Sequence, residues 1–462
     1  MKKVFADKVT PFVFLLVIVS SCLMLAVQPE LRLVVPLIIG VTAIMVITLT
    51  LALYRGERGE VSWSPSVILG VALFLRLMFL FSPPQLSDDV YRYLWDGRQV
   101  LGGESPYAAA PAAVQPQPEL AEVHSRINHP DYVTLYPPAA QLVFAGGAAM
   151  GCGITGLKAF LVLFDLGLCA LLMVALGRLG MPRWRAVLYA WNPLPVLEIA
   201  GSGHVDGAGL TMLMGVFCLL LTERNSAPSA PPRKWPFILA GALLACSALV
   251  KLFPLVLAPV PFLLAPSRRR IHFVAAFLGT LALLLVPFLP HLYNMAATLD
   301  IYARKWEFAG FAFTTLRKMT GSGELARMLV SGGFLAAAAW IFLRLAHRLK
   351  EHLSVAARGR LAMEACYSLA MAMLLLTPTL QPWYALSLAV FLPFCAGPAG
   401  IVLCWAVFLT YRVQIPYFTL GQWIENPLVT AAVFLAPVTT WLFSGLLREY
   451  RTARGDTVSL LP

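Results

Sequence analysis

LVVPLIIGVTAIMVITLTLAL, residues 33–53, runs for twenty-one positions without one charged side chain. As a helix rising about 1.5 Å per residue it covers the roughly 30 Å hydrocarbon thickness of a bilayer. Outward from it the pattern repeats. Windows at 11–27, 64–82, 157–176, 186–200, 208–222, 235–250, 252–266, 271–290, 326–345, 361–376, 383–397, 399–415 and 428–447 carry the same apolar signature. Charged residues make up 13% of the 462-residue chain and hydrophobic residues 59%, whereas a soluble domain holds roughly 25% charged residues. The chain is therefore expected to be all-α, a polytopic transmembrane helix bundle of about 12–14 spans. Residues 1–462 are read as a single integral membrane domain.

The net charge of +12 does not indicate nucleic-acid binding. Lys and Arg sit in short clusters between apolar runs, at Met1–Lys8, Tyr54–Glu60, Arg178–Arg185, Arg268–Arg270, His347–Arg360 and Arg448–Arg454, as cytoplasmic loops do under the positive-inside rule. With the N-terminus inside, all these clusters fall on one side provided the Gly-rich stretch 136–150 does not cross; it is read as a partial or re-entrant helix. MKKVFADK and the run through Gln28 show no small-x-small cleavage site and are expected to form an uncleaved first helix. Two large loops, 83–135 and 291–325, then lie outside, with shorter outer turns at Gly201–Gly207, Thr377–Trp383 and Gln414–Asn426. The inner linker ERNSAPSAPPRK holds little chemistry. All eight cysteines lie in or beside apolar stretches, none as a CxxC pair, so they read as packing residues.

The chemistry gathers in the outer segments. SDDVYRYLWDGRQVLGGESPY, Ser87–Tyr107, follows the third span directly. Asp88 and Asp89 stand where a helix leaves the bilayer, where a carboxylate can accept a hydroxyl proton away from bulk water. A helix N-cap explains one aspartate but not two. Tyr91, Arg92, Trp95, Asp96 and Arg98 follow at near-helical spacing, which predicts an interfacial helix. INHPDYVTLYPPAAQ (Ile127–Gln141) returns the chain to the membrane through a stiff Tyr136-Pro137-Pro138 step that needs no catalytic role.

GSGHVDG places His204 and Asp206 in a glycine turn, suited to substrate hydrogen bonding or phosphate contact, or simply to a packed turn. No third ligand stands at a useful spacing, so no metal is assigned. Lys251, in ALVKLFPLVLAP, is an ionisable residue inside an apolar run, a functional candidate by default. It is read as a contact to a donor phosphate. IYARKWEFAGF sets Arg304 and Lys305 beside Trp306, charge for phosphate oxygens and an indole plane for a sugar face. The proline-broken TPTLQPWYALS offers Gln381, Trp383 and Tyr384 at the rim. Arg76, Asp165, Glu198 and Glu364 lie in apolar windows, where internal pairing would make them structural. With no Walker loop and no dinucleotide fingerprint, an activated donor on the outer face would have to be carried by a lipid.

SDDVYRYLWDGR with SPY downstream, YPPAAQ, GHVDG, VKLFP, KWEF and PTLQPWY, in this order between Ser87 and Tyr384, resemble the polytopic glycosyltransferases of the GT-C superfamily. The nearest likeness is to bacterial polyprenyl-phosphate-dependent α-mannosyltransferases. That resemblance implies a GT-C bundle whose large outer loops carry interfacial helices. It implies a bacterial plasma-membrane enzyme acting on the outer side, using a polyprenyl-phosphate sugar donor and inverting the anomeric centre. Counting back from Ser105-Pro106-Tyr107 puts Asp89 at the family's aspartate in the catalytic first loop; other registers choose Asp88. The resemblance implies a hexose, mannose by likeness, passed to a lipid or glycan acceptor. Lys251, Arg304, Lys305 and His204 would hold the donor phosphate. Tyr91, Arg92, Trp95, Asp96, Asp206, Trp306, Gln381, Trp383 and Tyr384 would bind substrate. No cofactor is assigned, and a divalent metal has no support in the sequence. Competing readings are a lipid-linked sugar flippase and a non-catalytic assembly subunit. The latter would tolerate loss of both aspartates.

Overall fold

A computed structural model describes residues 2–222 and 233–453. Nearly all of the ERNSAPSAPPRK linker lies outside the described residues, as do Met1 and Arg454 of the two terminal basic clusters. Among the described residues every regular element is a helix, as expected of a chain that must satisfy its backbone hydrogen bonds without water. Among the described residues seven helices are long and apolar enough to cross a bilayer, including Val35–Glu57, Gly153–Arg178, Gly323–Arg348 and Val355–Leu376, and five shorter apolar helices join them. The observed fold is the all-α polytopic bundle anticipated from hydropathy.

Local chemistry sets the helix ends. Ser64, Ser322 and Ser354 each cap a helix by accepting from a backbone N–H three residues on, which satisfies one otherwise orphaned donor. The helix Pro138–Ala149 has twelve residues, about 18 Å at 1.5 Å per residue, too short to cross. Two apolar windows are not continuous helices. Residues 186–200 break into Val187–Ala190, Pro193–Pro195 and a π-turn Val196–Gly201, and residues 383–397 break likewise around Pro382 and Pro393. Both lie inside the bundle. Hydropathy alone cannot separate a lipid-facing helix from a buried irregular run, since irregular backbone survives at membrane depth when protein covers it.

The two ends of the bundle differ. Helix Val35–Glu57 is 23 residues long, about 35 Å by its rise. Beside its start lies Arg32, whose neighbour Leu31 donates its backbone N–H to Gln85 Oε1 in the first large loop at 2.8 Å. At its finish Glu57 meets Arg185 at 3.6 Å, and Arg360 donates to the Leu179 carbonyl at 2.7 Å. Three basic clusters thus share the end opposite the first large loop.

That loop is built around helix Asp89–Leu101. The helix forms where expected but does not lie open on a surface: Val90 to Gly97 are all buried. Gly97 explains the closeness, because a Cβ there would collide with the Phe144 carbonyl of helix Pro138–Ala149. The second loop contains helices Leu292–Lys305 and Phe311–Thr320. Between them Phe308 pairs strand-fashion with the proline-broken segment: its N–H donates to Pro378 at 3.1 Å, and its carbonyl accepts from Leu380 at 2.7 Å. Thr379 adds a side-chain bond to the Trp306 carbonyl at 2.9 Å.

Arg76 and Asp165 form a salt bridge at 2.7 Å with both side chains fully buried. Tyr189 donates to the second Asp165 oxygen at 2.7 Å, and Arg76 also donates to the carbonyls of Ala72 and Ala190. The internal pairing anticipated for these two charges is therefore complete.

Candidate active site

A cavity of about 770 Å³ opens at the loop-bearing end of the bundle. Asp88, Asp89, Arg92, Asp206, Lys251, Trp306, Gln381, Trp383 and Tyr384 line it. These residues come from five separate segments, and packing of the two loops against the broken helices brings them together.

Asp89 begins the buried helix of the first loop. Asn128 donates to its Oδ1 at 2.7 Å and the Tyr136 hydroxyl to its Oδ2 at 3.2 Å. The carboxylate stays 19% exposed to the cavity, so each oxygen keeps capacity for a substrate proton. Tyr136 is itself fixed, bonded to the Tyr93 hydroxyl at 2.8 Å and packed edge-on to Phe144. Asp88 stands at the N-cap without a side-chain capping bond. Burial pushes its carboxyl above the ordinary range, against the pull of Arg32 and Arg126. Arg92 lines the wall while donating to the carbonyls of His129 and Tyr132 at 3.0 and 2.8 Å, which folds the loop back over the helix.

Across the cavity Lys251 occupies a break between helices Trp235–Val250 and Phe253–Leu257, in extended backbone. The break turns the ammonium out of the apolar run, and both oxygens of Asp206 accept from it at 2.7 Å. The Tyr384 ring lies 5.0 Å from Nζ. Tyr302 and Tyr384 share a hydroxyl–hydroxyl bond, and Trp306 packs against the Tyr302 and His129 rings. One wall is thus aromatic.

Other candidates sit elsewhere. Tyr91 is buried under the Arg126 guanidinium, 4.2 Å from its ring centre, and Trp95 packs on His124. Asp96 is buried, with Gln141 donating at 3.5 Å; burial pushes its carboxyl up to about 6 in spite of Arg92, Thr134 and Gln141. These three hold the helix in place and do not line the cavity. Arg304 and Lys305 are exposed, Arg304 paired with Asp300 at 2.8 Å one helical turn away. Neither reaches the cavity. His204 lies behind it, fully buried and stacked on Trp383 with ring centres 4.0 Å apart. Sequence reasoning passed over Asn128, Tyr136, Tyr302 and Arg32. Of these, Tyr136 carried a signal, as an aromatic hydroxyl at the stiff re-entry step. Among the described residues no three His, Cys, Asp or Glu side chains gather as a metal set.

Residues 16–266, which include Asp89, Asn128, Tyr136, Asp206 and Lys251, match the family model described as alpha-(1->6)-mannopyranosyltransferase, N-terminal domain. The chain belongs to that family. The GT-C likeness of its motifs is borne out, and the protein is an integral membrane mannosyltransferase. No curated protein matches the chain. Part of the mannosyltransferase's cavity lies beyond the matched span, since Tyr302, Trp306, Gln381, Trp383 and Tyr384 come from the second half.

Proposed function

We propose that this mannosyltransferase moves mannose from a polyprenyl-phosphate donor to a lipid or glycan acceptor, on the outer face of a bacterial plasma membrane and with inversion. The observation that carries the reading is one cavity holding a partly exposed carboxylate fixed by two donors and, across from it, a lysine. Apolar side chains of Leu210, Leu252, Phe253 and Val256 line the same cavity and suit a prenyl chain. The basic clusters at the opposite end support an outward-facing site under the positive-inside rule.

In this mechanism the acceptor hydroxyl gives its proton to Asp89 as its oxygen attacks the anomeric carbon. The bond to the phosphate oxygen breaks, and polyprenyl phosphate leaves with the electron pair. Lys251 has three N–H groups; two serve Asp206 and one is left for a phosphate oxygen on which charge grows. Trp306, Trp383 and Tyr384 supply the aromatic faces for a sugar. Arg304, Lys305 and His204 have no part in phosphate binding here, because none lines the cavity. An inverting displacement that produces an α bond requires a β-linked donor. The 1→6 linkage in the family's description fits a primary hydroxyl as nucleophile.

The test is transfer by purified, reconstituted protein from polyprenyl-phosphate mannose to a native lipid extract, with Asp88→Asn and Asp89→Asn beside wild type. Loss with Asp89→Asn alone, at equal abundance, supports the reading. Undiminished transfer by Asp89→Asn would overturn it.

A further inference from the structure

Behind the cavity a fully buried cluster has no place in the mechanism so far. Glu198 and His204 are both completely buried. The π-turn Val196–Gly201 brings them together, and the His204 N–H donates to the Glu198 carbonyl at 2.9 Å. Their side chains face each other as well, His204 Nε2 standing 3.5 Å from Glu198 Oε2. On its other edge His204 Nδ1 is 4.0 Å from Asp89 Oδ2. Tyr411 donates its hydroxyl hydrogen to Glu198 Oε1 at 2.7 Å. Glu198 Oε2 and both imidazole nitrogens are buried without a hydrogen-bond partner, and unmatched polar atoms at such depth cost about 1–3 kcal/mol each.

Nε2 and Nδ1 of a neutral imidazole must be one donor and one acceptor. If Nε2 carried the hydrogen, the Nδ1 lone pair would face the Asp89 carboxylate, and Glu198, accepting on both oxygens, would be a buried anion or would bury an O–H without an acceptor. Both are unfavourable. If Nδ1 carries it, each donor faces an acceptor, across 3.5 Å at Glu198 and 4.0 Å at Asp89. Tyr411 O–H donates to Glu198 Oε1, a protonated Glu198 Oε2–H donates to Nε2, and Nδ1–H points at Asp89. Trp383, stacked at an angle of 21°, holds the ring plane.

We infer that Glu198 is a positioning residue that keeps its own proton and so fixes His204 as the Nδ1–H tautomer, which orients the Asp89 carboxylate for the acceptor. The inference rests on the reading of Asp89 as base. For His204 to act on Asp89, the 4.0 Å between Nδ1 and Oδ2 must close to hydrogen-bond length when substrate binds. Glutamine at 198 preserves the arrangement, since its amide donates to Nε2 while its carbonyl accepts from Tyr411. An apolar residue of similar length does not.

The experiment uses the full-length protein in detergent with 15N-labelled histidine, with the His204 signal identified by its disappearance in His204→Gln. Wild type and Glu198→Gln are expected to show a protonated Nδ1 and a bare Nε2, with kcat agreeing within a few-fold. Glu198→Met is expected to lose the single tautomer and to lower kcat at least roughly tenfold, with the KM for polyprenyl-phosphate mannose unchanged. A wild-type His204 protonated on Nε2 would overturn the inference, as would a Glu198→Met enzyme as active as Glu198→Gln. Should Glu198→Met fail to fold, the wild-type tautomer decides alone. The nitrogen signals do not depend on transfer, so a fully active Asp89→Asn would remove the base assignment while leaving the tautomer result standing.

Discussion

Asp165 and Asp89 are both held by a tyrosine hydroxyl, yet they live in opposite circumstances. Asp165 is sealed, with Arg76 and Tyr189 filling its oxygens and no exposure. Asp89 has two neutral donors, no hydrogen-bonded cation, and one side open to the cavity. A carboxylate neutralised inside a bundle serves packing. One that is solvated by dipoles and left partly unsatisfied can still take a proton. Saturation, more than depth, separates the two roles.

The contrast is broken most directly at Asp89. Asp89→Asn keeps the shape and removes the basic oxygen, so transfer should fall roughly 10³-fold, within the range for a general base, while the thermal midpoint in detergent stays put. A similar loss of stability would erase the distinction. Asp165→Ala should do the reverse: removing one partner of a buried pair costs about 3–5 kcal/mol and should empty the membrane of folded protein, as immunoblotting would register. Replacing Arg76 and Asp165 together by leucine should recover most of that protein.

Asp96 is a third carboxylate, buried and without a salt-bridging cation. Its folded-state value of about 6 lies above the unfolded 3.8, so the folded protein binds the extra proton between those values. Stability should then decline as pH rises from about 4 to 6, by roughly 3 kcal/mol if the whole shift is expressed. Asp96→Asn should flatten that stretch of a melting-temperature profile. Tyr136→Phe deletes one donor to Asp89 and should cost about tenfold in kcat, near the value of one hydrogen bond to a charged group. Arg304→Ala should change transfer less than about twofold, because an exposed i,i+4 pair is worth only a few tenths of a kcal/mol; a larger loss would draw this helix into the site.

The bundle was legible because hydropathy reports burial from water, and membrane spans are long runs of it. The same signal failed at 186–200 and 383–397, where proline-broken backbone is equally apolar but covered by protein. Lys251 and Asp206 stood out in sequence as charges among apolar neighbours. Asn128 did not, and Tyr136 did so only as part of a stiff re-entry step, since polar loop residues some forty positions from Asp89 gain meaning only when the chain folds back. The Arg304 cluster drew attention by composition, while the aspartate four residues before it already supplied a local partner.

The strand-like pairing of Phe308 with Pro378 and Leu380 joins Trp306 to the Gln381–Tyr384 segment through backbone bonds. The two halves of the aromatic wall are therefore tied at one seam, which holds Trp306 and Tyr384 in register for a single sugar. The Leu380 amide, bonded to the Phe308 carbonyl, becomes a gauge of that seam, exchanging its hydrogen for deuterium only when the pairing opens.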